Sequence, residues 1–178
     1  MRASLNQINA CSDLSYVPQR DGAFGDCAIA CFATVLGRTY EQIAAAFGFP
    51  CAPETGLPSL PDGRGIHFFE IGAPLLRMGH ESTLMLTSDF PGFGKARLPS
   101  QHELKQMLHG KRAVLLTTRP TGEEHALAWK DDRVIDCRED DPFKLSLDDI
   151  HLLGAALIWP RGDDRLSVAA EAREMEGA

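Results

Sequence analysis

Read for its apolar and polar positions, the chain divides into a helical first half and a strand-rich second half. A polar, glycine-punctuated run from Gln19 to Asp26 gives way at once to Cys27-Ala28-Ile29-Ala30-Cys31-Phe32-Ala33-Thr34-Val35-Leu36. That stretch is apolar on every side, which predicts a buried helix. Gly37 is placed to close it. Thr39 and Gln42 have the spacing of a capping box, and Tyr40, Ile43, Ala44 and Phe47 recur at helical intervals, so a second helix follows. Residues 50–65 are rich in proline and glycine and read as loop. Ile66, Phe69, Leu75 and Leu76 point to a helix over 66–79, weakened by Gly72 and Pro74. Residues 83–87 read as a short strand and 88–99 as a further loop.

From Ser100 the pattern sharpens. Ser100 and Glu103 frame a capping box ahead of a face made of Leu104, Met107 and Leu108, and Gly110 ends that helix. Residues 113–118 form a buried strand. Residues 125–129 and 133–137 form two strands joined across Asp131-Asp132, which is hairpin spacing. Ser146 opens a short helix, and 155–159 is a last strand stopped by Pro160. Residues 1–18 read as an irregular lead-in and 163–178 as a charged helix. The predicted class is α+β, with an N-terminal helical half packed on a C-terminal antiparallel sheet. The organisation is one domain over 1–160 and a charged tail over 161–178. A cleft between the halves is the natural place for a site.

Composition narrows the partners. The 178 residues suit a single domain, and 44% hydrophobic with 24% charged residues is ordinary for a globular chain. A net charge of −7 and no basic stripe argue against nucleic acid. No apolar run approaches the ~18 residues of a membrane span. The first fourteen residues are polar and lack a signal-peptide core, so a cytoplasmic origin is expected, with export that needs no cleaved signal left open. The five cysteines, Cys11, Cys27, Cys31, Cys51 and Cys137, are odd in number and irregular in spacing, a poor disulfide framework. His67, His80, His102, His109 and His151 show no ligand spacing with a cysteine pair, so neither a metal nor another cofactor is expected.

The chemistry lies in one ordered set. A thiol nucleophile reacts as its thiolate, and the start of a helix favours that charge. Cys27 stands there, after a Gly-Asp loop and before an apolar helix. A base must reach it and a third group must orient the base. His125 opens a strand after a polar loop, and Asp136 lies late in the next strand. Register across Asp131-Asp132 sets Asp136 opposite Leu127, two residues from His125, a gap that a bulge or a four-residue turn would close. Gln19 is the candidate amide for an oxyanion hole, beside the Cys27 N–H. Cys31, one turn further on, should face the core, as should Cys137, Trp129 and Trp159. Asp26 reads as a helix cap or as part of the cleft.

The segment Gln19…Gly25-Asp26-Cys27-Ala28-Ile29-Ala30-Cys31, continuing to Leu36-Gly37, resembles the start of the papain-like peptidase domains that trim double-glycine leader peptides in bacteriocin export. The resemblance extends through the helix and strand of 103–118, the Glu124-His125-Ala126-Leu127-Ala128 segment, Asp136 and the last strand, and so spans about 17–160. It implies a papain-like fold in which Cys27 is the nucleophile, His125 the base, Asp136 the orienting carboxylate and Gln19 the oxyanion-hole amide. Two features depart from the family. Eight positions separate Gln19 from Cys27, more than is usual there, and Cys137 follows Asp136 where the family often has proline. A leader-peptide substrate is not carried over. The expected activity is amide hydrolysis on a peptide or protein substrate. Deamidation of glutamine or acyl transfer by a modifier of one partner protein is the rival reading, and a catalytically inactive binding module on the same fold is a second.

Overall fold

The structure is a computed structural model, and it describes residues 16–21, 25–60, 65–92 and 98–162. The lead-in over 1–15, Cys11 among it, and the charged helix expected over 163–178 lie outside the described residues. In chain order the elements are α1 (Cys27–Leu36), α2 (Tyr40–Ala46), α3 (Gly72–Arg77), β1 (His80–Leu86), α4 (Gln101–Met107), β2 (Arg112–Thr118), β3 (Glu124–Lys130), β4 (Arg133–Ile135) and β5 (Leu152–Pro160). Single 3-10 turns cover Phe68–Glu70 and Leu147–Asp149. The class is α+β.

The five strands form one antiparallel sheet in the order β1-β5-β2-β3-β4. Side-chain alternation splits its residues between two layers. Val114, Leu116, Ala126, Ala128, Ile135, Ala156 and Ile158 face α1 and meet Ile29, Phe32 and Ala33. Ala113, Leu115, Leu127, Trp129, Val134, Ala155 and Leu157 turn the other way, onto Leu104 of α4 and Leu108, which caps its end. Both faces of β2, β3 and β5 are therefore covered. This is why those strands read as continuous apolar runs and not as an alternation. The Trp129 indole N–H donates to the Leu108 carbonyl at 2.9 Å and ties the end of α4 to the sheet.

Local signals set the element ends. Gly37 takes a left-handed conformation (φ 62°) and its N–H closes α1 on the Ala33 carbonyl. Both expected capping boxes form, Thr39 with Gln42 and Ser100 with Glu103. Asp131 and Asp132 both have positive φ, 51° and 56°, as a tight two-residue hairpin turn demands.

Several expectations need correction. The helix over 66–79 is a 3-10 turn followed by α3, because Pro74 is accommodated only in the first turn of a helix. Of its proposed inner stripe, Ile66 and Leu75 are buried, while Phe69 and Leu76 are exposed. Met107 is also exposed. The strand expected over 133–137 ends at Ile135, so Asp136 and Cys137 lie in a turn, though both are buried. The last strand begins at Leu152 and includes Pro160. Trp159 is only half-buried, with its N–H on Glu81. The Ser146 helix is a single 3-10 turn.

Candidate active site

Cys27 is the first residue of α1, half-buried, and follows Gly25 and Asp26. The N–H groups of a helix's first turn have no partner within the helix. Together with the helix dipole they favour negative charge at this end.

His125 is the second residue of β3, paired with Thr117 of β2, and its side chain is 8% exposed. Beside it the β2–β5 ladder slips: Leu116 faces Gly154 but Thr117 faces Leu152, so Leu153 is the extra residue of a bulge. β4 stops where the ladder would carry Asp136 opposite Leu127, and the Asp136 N–H donates instead to the Pro142 carbonyl at 2.9 Å. His125 and Asp136 are thus diagonal neighbours across the hairpin, within reach of a long side chain. No bulge or longer turn in the β3–β4 hairpin is needed, because the imidazole itself spans the gap. His125 Nε2 lies 3.0 Å from Asp136 Oδ1.

Burial of the ring opposes its charged form. The hydrogen bond to Asp136 and the neighbouring Cys27, with the negative charge each can carry, outweigh that cost and push His125 up to about 9. Burial likewise opposes ionisation of Asp136. The His125 contact, the Arg138 N–H at 3.1 Å from Oδ1 and the nearby Arg119 outweigh it and hold the carboxyl below its ordinary range. The imidazole ring is thus bonded to a carboxylate and shares the cleft wall with a thiol.

Gln19 joins this set indirectly. Its Nε2 donates to Asp26 Oδ1 at 2.6 Å and its backbone N–H donates to the Cys137 carbonyl at 2.8 Å. The described residues that line the cleft beside Cys27 do not include it. Asp26 precedes α1 but does not cap it. Its buried carboxylate accepts from Gln19, from the Arg20 N–H at 3.1 Å and from the Tyr40 hydroxyl at 2.7 Å. Arg20 lies over the Tyr40 ring and bonds Glu41 and the Gly56 carbonyl.

The cleft has a volume of about 550 Å³, with Cys27 and His125 in its wall. Ile66, Phe68, Phe69, Phe90 and Leu116 make the rest largely apolar. Phe69 and Phe90 meet edge to face, with ring centroids 6.3 Å apart. Gly65 passes the loop before the nucleophile so closely that a Cβ there would lie 2.8 Å from the Gly25 carbonyl oxygen.

Cys31 is buried against the Ala126 carbonyl (3.3 Å) and Cys137 (4.0 Å). Burial, then the Cys137 contact, pushes its thiol well up, as suits a core residue. Sequence reasoning missed Arg119, whose Nη2 is 3.0 Å from His125 Nε2 and 3.7 Å from Asp136 Oδ2. It sits in a polar loop without periodicity, and only the β2–β3 hairpin carries it to the ring. The aromatic walls of the cleft were also missed, because they come from two loops far apart in the chain.

No protein-family model matches the chain, and a comparison with curated proteins finds no match.

Proposed function

We propose that the chain is a papain-like cysteine hydrolase that cleaves an amide bond through Cys27, His125 and Asp136. The observation that carries the reading is the His125 ring, bonded to the Asp136 carboxylate 3.0 Å from Nε2, in the wall of the same cleft as the thiol of the first residue of α1. Nucleophile, base and orienting group stand in the order that thiol catalysis requires.

In this reading Nε2–H donates to Asp136 and Nδ1 takes the proton of the Cys27 thiol. The thiolate attacks the substrate carbonyl carbon, and the new oxyanion faces the Cys27 N–H; the Gln19 amide, held by Asp26 away from the cleft lining, supports the turn and supplies no donor in this reading. As the C–N bond breaks, His125 returns its proton to the departing amine and a thioester remains. Water, deprotonated by His125, adds to the thioester carbon. The carboxylic acid leaves and the thiol–imidazole pair is restored. The apolar walls favour a peptide with bulky apolar side chains over the polar amide of a glutamine, so a peptidase is preferred to a deamidase.

The test is iodoacetamide labelling at pH 6 with peptide mapping. Fast alkylation of Cys27 alone, slowed in His125→Ala, supports the thiolate–imidazolium pair. If every thiol reacts slowly and alike, the hydrolase reading fails and a binding module on the same fold takes its place.

A further inference from the structure

We infer that Arg119 is a positioning residue that competes with Asp136 for His125 Nε2 and so limits the pH range over which the ring stays protonated. Two partners sit at the same nitrogen: Asp136 Oδ1 and Arg119 Nη2 are each 3.0 Å away. A ring nitrogen carries either one proton or one lone pair, so it satisfies one of them at a time. As imidazolium, Nε2–H donates to Asp136, and Arg119 is left to pair with Asp136 Oδ2 at 3.7 Å. As a neutral ring protonated on Nδ1, Nε2 accepts from Arg119. In that tautomer Nδ1 has no lone pair with which to take a thiol proton.

Each effect of the guanidinium has one sign. Its charge opposes the imidazolium, its N–H stabilises the neutral ring, and its pairing with Oδ2 weakens the hold of Asp136 on Nε2–H. The residue is built into place. Its backbone N–H donates to the Glu123 carbonyl at 2.8 Å and its carbonyl accepts from the Gly122 N–H at 2.9 Å, so the 119–123 loop aims the side chain at the ring. Beyond it lies a second cavity, of about 700 Å³, that reaches His125 and Asp136 from a different set of walls than the Cys27 cleft. Arg119 itself is part of the wall of this cavity.

The other groups that bear on the ring are Cys27 from α1, its neighbour Glu124, and Cys137 after β4. Glu139, Asp149 and His151 face it across the second cavity. Among the described residues, none of these is recorded as a hydrogen-bond partner of Nε2.

The test is an NMR titration of the His125 ring nitrogens in the wild type, Arg119→Gln and Arg119→Lys, with the pH profile of Cys27 alkylation recorded in parallel. In Arg119→Gln the midpoint of His125 should rise by about one pH unit, the scale of a close like charge. The neutral ring should then hold its proton on Nε2, toward Asp136. Arg119→Lys keeps a cation and should stay near the wild type. A midpoint and tautomer unchanged in Arg119→Gln would overturn the proposal. If Arg119→Gln does not fold, the same reading is taken on Arg119→Met, under the same criterion. The inference rests on His125 serving as the base, and the two arms separate the failures. Slow Cys27 alkylation sinks the hydrolase reading, whereas the ring titration judges Arg119 alone.

Discussion

Asp136→Asn isolates the charge that holds His125 basic while keeping the shape of the side chain. His125 is raised from its ordinary 6.5 to about 9 in the folded chain, against its burial, chiefly by Asp136 and Cys27. A group more basic when folded stabilises the fold in its protonated form. That stability is fully present below 6.5 and is lost as pH rises through about 9. At roughly 1.4 kcal/mol per pH unit, the span corresponds to about 3 kcal/mol, an upper figure because Cys27 supplies part of it. Asp136 has the opposite sign: its depressed carboxyl adds stability above the ordinary carboxylate range and loses it only in acid, outside this window. The assay is urea unfolding at intervals from pH 6 to 10. The wild type should lose about 3 kcal/mol across that range and Asp136→Asn less than about 1 kcal/mol, so that the two converge at high pH. The five cysteines are common to both proteins. Parallel curves, with a constant offset between wild type and variant, would refute the coupling.

Tyr40→Phe removes the hydroxyl that donates to the buried Asp26 carboxylate, and should cost about 1–3 kcal/mol by urea unfolding. An unchanged midpoint would mean that the Gln19 and Arg20 donors alone satisfy Asp26. Gly65→Ala places a Cβ 2.8 Å from the Gly25 carbonyl oxygen and should push the loop ahead of Cys27 aside. Cys27 alkylation should slow by about tenfold or more with little change in the unfolding midpoint; an unaltered rate would show that the loop yields freely. Cys31→Ala should keep fast alkylation at Cys27 and lose only about 1 kcal/mol of core packing. Loss of the fast reaction would move the nucleophile to Cys31.

Much of this arrangement is local and was legible in the chain. The all-apolar run after Gly25-Asp26 could only be a buried helix, so Cys27 had to stand at its start. The Thr39–Gln42 and Ser100–Glu103 boxes depend on residues three apart, and the Asp131-Asp132 turn on two adjacent ones. Periodicity likewise marked the central strands, because covering both faces of a sheet demands unbroken apolar runs. What failed locally did so for physical reasons. Phe69 and Leu76 have the spacing of an inner stripe, but the run breaks into a 3-10 turn and α3 and leaves both side chains exposed; helical spacing cannot say where such a break falls.

The sequence by itself determined the order of the elements, the class of the fold and the residue types from which a thiol site can be built, since these follow from backbone propensity and the burial of apolar surface along a few consecutive residues. Only the tertiary structure decided which of them meet. The end of β4 at Ile135 and the diagonal reach of the imidazole bring His125 to Asp136, eleven positions apart. The 119–123 turn sets Arg119 on the same ring nitrogen, and two distant loops close aromatic walls beside Cys27. Those contacts come from strand register and the packing of a sheet on a helix, which depend on the whole chain at once, and no short stretch of sequence encodes them.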